Sequence, residues 1–331
     1  MECRVLGRLV FCALTVAQLI TFTSCGGSAG TSTPPPPVFH NEWAWMGGSQ
    51  AVDKTGIYGT KGVASAGNMP GGRGWSCAWS DASGNFWLFG GLGIISTSGP
   101  VSPGAIGNMN DLWEYSNGMW KWVAGSNQID QYGVYGTLDT PAPGNTPGWR
   151  DRAATWTDAS GNLWLFGGMG VGSPGPGEDC MGCEMNDLWM FKSGEWTWMG
   201  GPDEPGYSGV YGTQGVAAIG NLPPPRSDAT TWTDAEGNFW LFGGVLVYPY
   251  NDLWKYNSGE WTWMSGANQN CQAGVYGTRG TPSVTNVPGA RAGAVGWTDK
   301  SGNLWLFGGD VINCPGYYSA TKLNDLWEYT P

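Results

Sequence analysis

Histidine is the residue this 331-residue chain nearly lacks: His40 is the only one. It follows the proline run "TSTPPPPVF", ahead of every patterned segment. Serine or cysteine nucleophiles that rely on an imidazole base are therefore not expected in the folded part. Carboxylates and arginines are the other groups that could do chemistry. Asp81, Asp158, Asp234 and Asp299 recur in one kind of turn, and Asp111, Asp187, Asp252 and Asp325 recur in "NDLW". Recurrence in every repeat points to turn and strand-end hydrogen bonding. Asp151, Arg152 and Asp228 do not recur. An acid–base pair could be built from them, although a solvated or salt-bridged wall is the plainer reading. Arg73, Arg150, Arg226 and Arg291 could grip a carboxylate or phosphate bidentately. Their fixed place in the repeat favours a structural role at backbone carbonyls.

The positioning elements show themselves through repetition. Tryptophan pairs stand at Trp43/Trp45, Trp120/Trp122, Trp196/Trp198 and Trp261/Trp263. From the second member of each pair to the next arginine is 28 residues every time, and from that arginine to the tryptophan of "WLFGG" is 14. From the asparagine of "NDLW" to the following pair is 10. Only the stretch between "GG" and "NDLW" varies, holding 18, 17, 6 and 14 residues. Each unit reads as four short strands: the run after the arginine, "LWLFGG", "NDLW-x-Y" and "W-x-W". A tight turn of the "DASGN" kind joins the first two. "LWLFGG" is apolar on both faces and must be covered on both, a demand met by radially packed sheets.

The pattern "R-x-x-A … LWLFGG … NDLW-x-Y … W-x-W" resembles the kelch repeat over about 290 residues, from Trp43 to the end. The resemblance implies an all-β fold, a β-propeller of four long, four-stranded blades. The last unit ends at "NDLWEYTP" and the first tryptophan pair has no strands before it. The amino-terminal strand is thus expected to complete the last blade and close the ring. The units, at 65 to 77 residues, exceed ordinary kelch blades, and much of the excess is the constant 28-residue connection with its "GVYGT". Some propellers of this type, such as galactose oxidase, hold copper with two histidines, which this chain cannot supply. No cofactor and no metal are expected. "SDASGNFW" approaches the Asp-box of sialidases, but its aspartate lies three residues before the glycine and not two, so it reads as a hairpin turn.

Residues 1–24 read as a signal peptide, with Arg4 and Arg8 before the apolar run "LVFCALTVAQLITF". The segment resembles a lipoprotein signal with Cys25 as the lipidated residue, although Phe22 stands where Leu is usual; ordinary secretion is the alternative. Residues 25–42 read as a linker and 43–331 as the propeller. An extracytoplasmic location follows, at the outer membrane or cell surface, or else secreted. The formal net charge of −11 argues against a nucleic acid or anionic membrane as partner. Any membrane association would run through the lipid anchor.

In such a blade the variable loop and the connection to the next blade emerge on one face. That face carries Tyr248, Tyr250, Tyr317 and Tyr318, with Tyr132 and Tyr207. Trp75 and Trp149 lie near the same end, the only two of 22 tryptophans outside the five framework positions. With Arg150 they form the candidate binding set for a protein or glycan ligand; tolerated surface insertions are the bland alternative. A carbohydrate-active enzyme of epimerase or lyase type, using inner carboxylates and arginines, is the second functional class. Cys271 and Cys314 fall on the same face of one unit and are expected to be joined. Cys180 and Cys183 are expected to form a local disulfide, since zinc would want a second pair. Cys77 is expected to be a buried thiol.

Overall fold

A computed structural model of the chain describes residues 42–94, 105–174, 182–315 and 321–331. The chain divides into two compact units, Met1–Trp45 and Met46–Pro331. Within the first, the described residues 42–45 form no strand and Trp43 is fully exposed. The second is all-β among its described residues and forms a four-bladed propeller of antiparallel sheets.

Blade one is built from Cys77–Ser80, Phe86–Ile94, Ile106–Ser116 and Met119–Ala124. Blade two repeats this with Ala154–Thr157, Leu163–Gly170, Cys183–Lys192 and Glu195–Gly200, and blade three with Thr230–Thr233, Phe239–Phe242, Leu253–Asn257 and Glu260–Ser265. Blade four holds three strands, Val295–Thr298, Leu304–Phe307 and Leu326–Tyr329. Where the fourth strand of this blade is expected, at Trp43 and Trp45, the described residues 42–46 carry no strand.

The turn between the first two strands is locally encoded. The Asp81 carboxylate accepts from the Ser83 and Asn85 amides, from the Asn85 side chain and from the Trp87 indole N–H, at 2.9–3.0 Å. Asp158, Asp234 and Asp299 repeat the set. The recurring aspartates are therefore turn residues. The glycine pair ends the second strand with positive φ, +64° at Gly90 and +90° at Gly91. A Cβ on Gly90 would stand 2.4 Å from the Arg150 carbonyl of the next blade, so side chains are excluded by conformation and by space.

Adjacent blades are joined through tryptophan. The Trp79 indole N–H donates to the Trp164 carbonyl of blade two, Trp156 to Trp240 of blade three, and Trp232 to Trp305 of blade four, at 2.9, 3.2 and 3.0 Å. Apolar clusters fill the same three junctions, with Phe89 and Trp196 at the first, Phe166 and Trp261 at the second, and Phe242 and Leu306 at the third.

Each repeat arginine lies inside its blade. Arg226 binds the Asp252 carboxylate through two nitrogens at 2.7 and 2.8 Å and also donates to the Gly243 and Pro224 carbonyls. The same carboxylate accepts from Tyr211 of "GVYGT" and from the Trp254 indole. Arg73 and Arg291 repeat this with Asp111 and Asp325. The constant connection thus delivers a tyrosine to the ion pair, and a backbone bridge such as Val210–Leu222 holds the delivering loop.

Two consequences can be measured. Asp252→Ala leaves the Arg226 charge buried and unpaired, and should cost about 3–5 kcal/mol as a lowered urea midpoint. Acid should also destabilise the fold through the turn aspartates. Burial opposes ionisation of Asp81 and Asp158, but their indole, amide and backbone donors hold both below the usual carboxylate value, as they do Asp299. Their contribution is complete above the unfolded value of about 4 and is lost as pH falls through the folded values. Melting temperatures should drop progressively below about pH 4; a flat profile there would contradict this account.

Candidate functional site

Two residues beyond each repeat arginine the backbone turns left-handed: φ is +59° at Trp75, +53° at Arg152, +54° at Asp228 and +63° at Gly293. These four positions are linked by backbone hydrogen bonds, Arg152 N–H to Trp75 O, Asp228 N–H to Arg152 O and Gly293 N–H to Asp228 O, at 3.0, 3.1 and 2.9 Å. They form a run across the four blades, two residues ahead of each first strand, and this end of the first strands is the mouth. Three non-glycine residues in this region is costly, since each carries about 1–3 kcal/mol of strain. The arginine two residues earlier repeats in all four blades; the side chains at this position and at the one before it do not.

The side chains converge. Arg152 bonds Asp151 at 2.9 Å, lies 3.7 Å from the Asp228 carboxylate, and has its guanidinium 5.1 Å from the Trp75 ring centre. Glu184, at the start of the third strand of blade two, shares their electrostatic field. Burial raises the pKa of Asp151, Glu184 and Asp228 above ordinary carboxylate values, against the pull of Arg152. Asp151 is buried, and its Oδ2 has no hydrogen-bond partner among the described residues. Blade two is also where the framework ion pair is incomplete. Arg150 reaches Asp187 through one nitrogen, and its Nε and Nη1, like Asp187 Oδ1, find no partner among the described residues.

Along the first strands, an open recess of about 280 Å³ is lined by Ala78–Ser80, Thr155–Thr157 and Thr231–Thr233. Three of its hydroxyls donate to neighbouring carbonyls, Thr155 to Ala78, Thr157 to Ser80 and Thr231 to Thr155. The charged groups are at the mouth.

Of the residues expected to bind, Trp75 is 57% exposed and Tyr248 39%. Trp149 and Arg150 present no surface, at 1% and 0%. The arginine is consumed by the ion pair, and the tryptophan packs under the backbone near Gly182. Tyr250 is buried too, with the Arg226 guanidinium 4.5 Å from its ring centre. Tyr317 and Tyr318 lie outside the described residues, as do Cys25 and Cys180. Cys271 and Cys314 form a disulfide with α-carbons 5.5 Å apart, and Cys183 is disulfide-bonded. Cys77 is buried, which pushes its thiol up to about 12. Glu184 was not separable by sequence from its acidic loop. Trp75 and Arg152 could have been matched by counting two residues from each arginine, the signal that puts four unlike side chains at one structural place.

No protein-family model and no curated protein matches the chain in sequence. Among solved structures it is similar to YjhT, at 14% identity over 78% of this chain and 82% of that one, with a TM-score of 0.36. It is also similar to a protein of unknown function from Dyadobacter fermentans, at 11% identity, 78% and 66% coverage and a TM-score of 0.37. A fungal alcohol oxidase of the AA5 family, solved with copper, matches at 11% identity, 77% and 52% coverage and a TM-score of 0.34. The chain spans about half of that oxidase. At these scores and identities none of them bears on what this chain does.

Arg152 offers a direct test of the mouth's electrostatics. Carboxylates with raised folded-state pKa values contribute stability below their unfolded values and lose it as pH rises through the folded ones. Arg152→Met removes the opposing charge and should raise those values further. The variant should therefore be destabilised more at pH 7 than at pH 4. Equal losses at both pH values would mean that Arg152 is not compensating the cluster.

Proposed function

We propose that the chain is a non-enzymatic binding module, kelch-like in its repeats, that holds a hydroxyl-rich ligand of glycan type at the channel mouth. One observation carries the reading: Trp75, Arg152 and Asp228 occupy the same strained backbone position in three blades, where unlike functional side chains stand in place of a repeated residue. An exposed indole offers an apolar face for sugar C–H groups. Carboxylates and a guanidinium beside it offer the paired acceptors and donors that vicinal hydroxyls need. The unpartnered Asp151 Oδ2 supports a ligand that would satisfy it. Tyr248 and the variable loops would frame the site, and Tyr317 and Tyr318 join that proposal on sequence alone. Placement outside the cytoplasm, with Cys25 as lipid anchor, rests on the amino-terminal sequence; the disulfide at Cys271 and Cys314 agrees with it.

The enzymatic alternative, an epimerase or lyase, draws on the same cluster, whose raised carboxylates could exchange protons near neutral pH. A glycan array probed with the labelled chain, followed by calorimetry on the hits, separates the readings. Trp75→Ala should weaken a confirmed glycan by about tenfold or more, equivalent to ~1.4 kcal/mol. Recovery of that glycan unchanged after long incubation supports binding, and a new product supports catalysis. A blank array, or hits indifferent to Trp75→Ala, would overturn the proposed site.

A further inference from the structure

The mouth is unbalanced in charge. Asp151, Asp228 and Glu184 stand there as carboxylates, and the cation that acts on all of them is Arg152. The repeat arginines do not redress this, because Arg73, Arg150, Arg226 and Arg291 are each ion-paired with the aspartate of their own blade. Asp310, whose backbone pairs with Ala292 beside the mouth position of blade four, adds negative charge felt at Asp228 and is itself met by Lys322. Burial first, and the neighbouring carboxylates after it, push Glu184 and Asp228 above the ordinary carboxylate range. Acidic groups are thus held together with too little positive charge to compensate them.

Arg152 has little left to give a ligand. Its Nε holds Asp151 at 2.9 Å, Nη1 faces Asp228 at 3.7 Å, Nη2 reaches the Met169 sulfur at 3.6 Å, and its plane lies by the Trp75 ring. What stays open is acceptor capacity. Asp151 is 1% exposed; one of its oxygens holds Arg152, and Oδ2 has no partner among the described residues. The Asp228 carboxylate is part-exposed and meets Arg152 only beyond hydrogen-bond length. Beside it, blade four puts Gly293 at the matched position, where an added Cβ would meet nothing within 4 Å. Unspent acceptors therefore border open space.

A neutral hydroxyl brings such a site one donor and no charge. A protonated amine brings three donors and the missing positive charge. Resting on the glycan reading above and narrowing it, we propose that the ligand is an amino sugar, its free amine held between Asp151 and Asp228 in the space left by Gly293. The exposed indole of Trp75 takes the C–H face of the sugar ring and favours a cation nearby. A basic peptide would supply the charge but no ring face for that indole.

Calorimetry on the full chain with three short ligands tests this: a β-1,4-linked glucosamine trisaccharide, its fully N-acetylated form, and the glucose trisaccharide. Mildly acidic buffer keeps the amine protonated, and about 0.15 M salt screens the general attraction of an acidic protein for cations. The free amine should bind at least about tenfold more tightly than either neutral sugar. Asp228→Asn, which suits the left-handed backbone there, should remove most of that preference. Glu236→Gln makes the same charge change in an exposed turn at the opposite end of a first strand, and should keep the preference. Equal loss in both variants would assign the effect to net charge and overturn the proposal. Equal binding of the three sugars would overturn the amine assignment while leaving a glycan site. 1,4-Diaminobutane binding as tightly as the amino sugar would show that no sugar ring is needed, and would overturn it too. If none of the three sugars binds, the amino-sugar assignment falls, and the array decides the glycan reading separately.

Discussion

A carboxylate and a guanidinium buried together inside every blade set the terms for the rest of this molecule. Taking such charges out of water costs several kcal/mol per ion, and the cost is offset only where every lone pair and N–H finds a partner. In blade three the compensation is nearly complete. The Asp252 carboxylate receives Arg226, Tyr211 and Trp254, while Arg226 also binds two carbonyls. Each partner comes from a different segment of the repeat, so meeting the electrostatic demand ties the connection, the second strand and the third strand to one point. The fixed spacings follow from that tie, because inserting a residue would move one partner off the carboxylate.

The same constraint explains where variation is permitted. Among the described residues, the stretch between the glycine pair and "NDLW" gives the ion pair no hydrogen bond, only the Tyr250 ring that meets Arg226 in blade three, and its length changes from blade to blade. Between blades, an indole N–H on a neighbour's carbonyl does the joining, inside an aromatic cluster that excludes water. Tryptophan suits this place because it brings a large apolar surface together with one donor that must be satisfied. Its abundance is thus a property of the frame, from which the exposed Trp75 stands apart.

Functional character enters where the frame stops dictating the side chain. The left-handed position after each arginine is required by the path of the chain, but nothing in the frame specifies Trp75, Arg152 or Asp228. Glycine, present at 293, would carry the path with less strain. Keeping larger side chains there, beside buried polar atoms that lack partners, concentrates unmet hydrogen-bonding capacity at one end of the channel.

Much of the architecture was legible from spacing alone. Asp81 with its "DASGN" turn is a local matter, since its hydrogen bonds span at most six residues. The doubly apolar "WLFGG" demanded cover on both faces wherever it lay. The cysteines at 271 and 314 were also readable, because blade topology puts their two segments on one face. Other features depended on contacts between distant segments. Arg150 and Trp149 read as ligands by residue type, yet tertiary packing spends one on Asp187 and buries the other. Glu184 joins the mouth only because its strand pairs beside Met169, a register that composition does not encode. A repeat determines what each junction is made of, but the turn per junction, and so the closure of the ring, emerges only when whole sheets pack against one another.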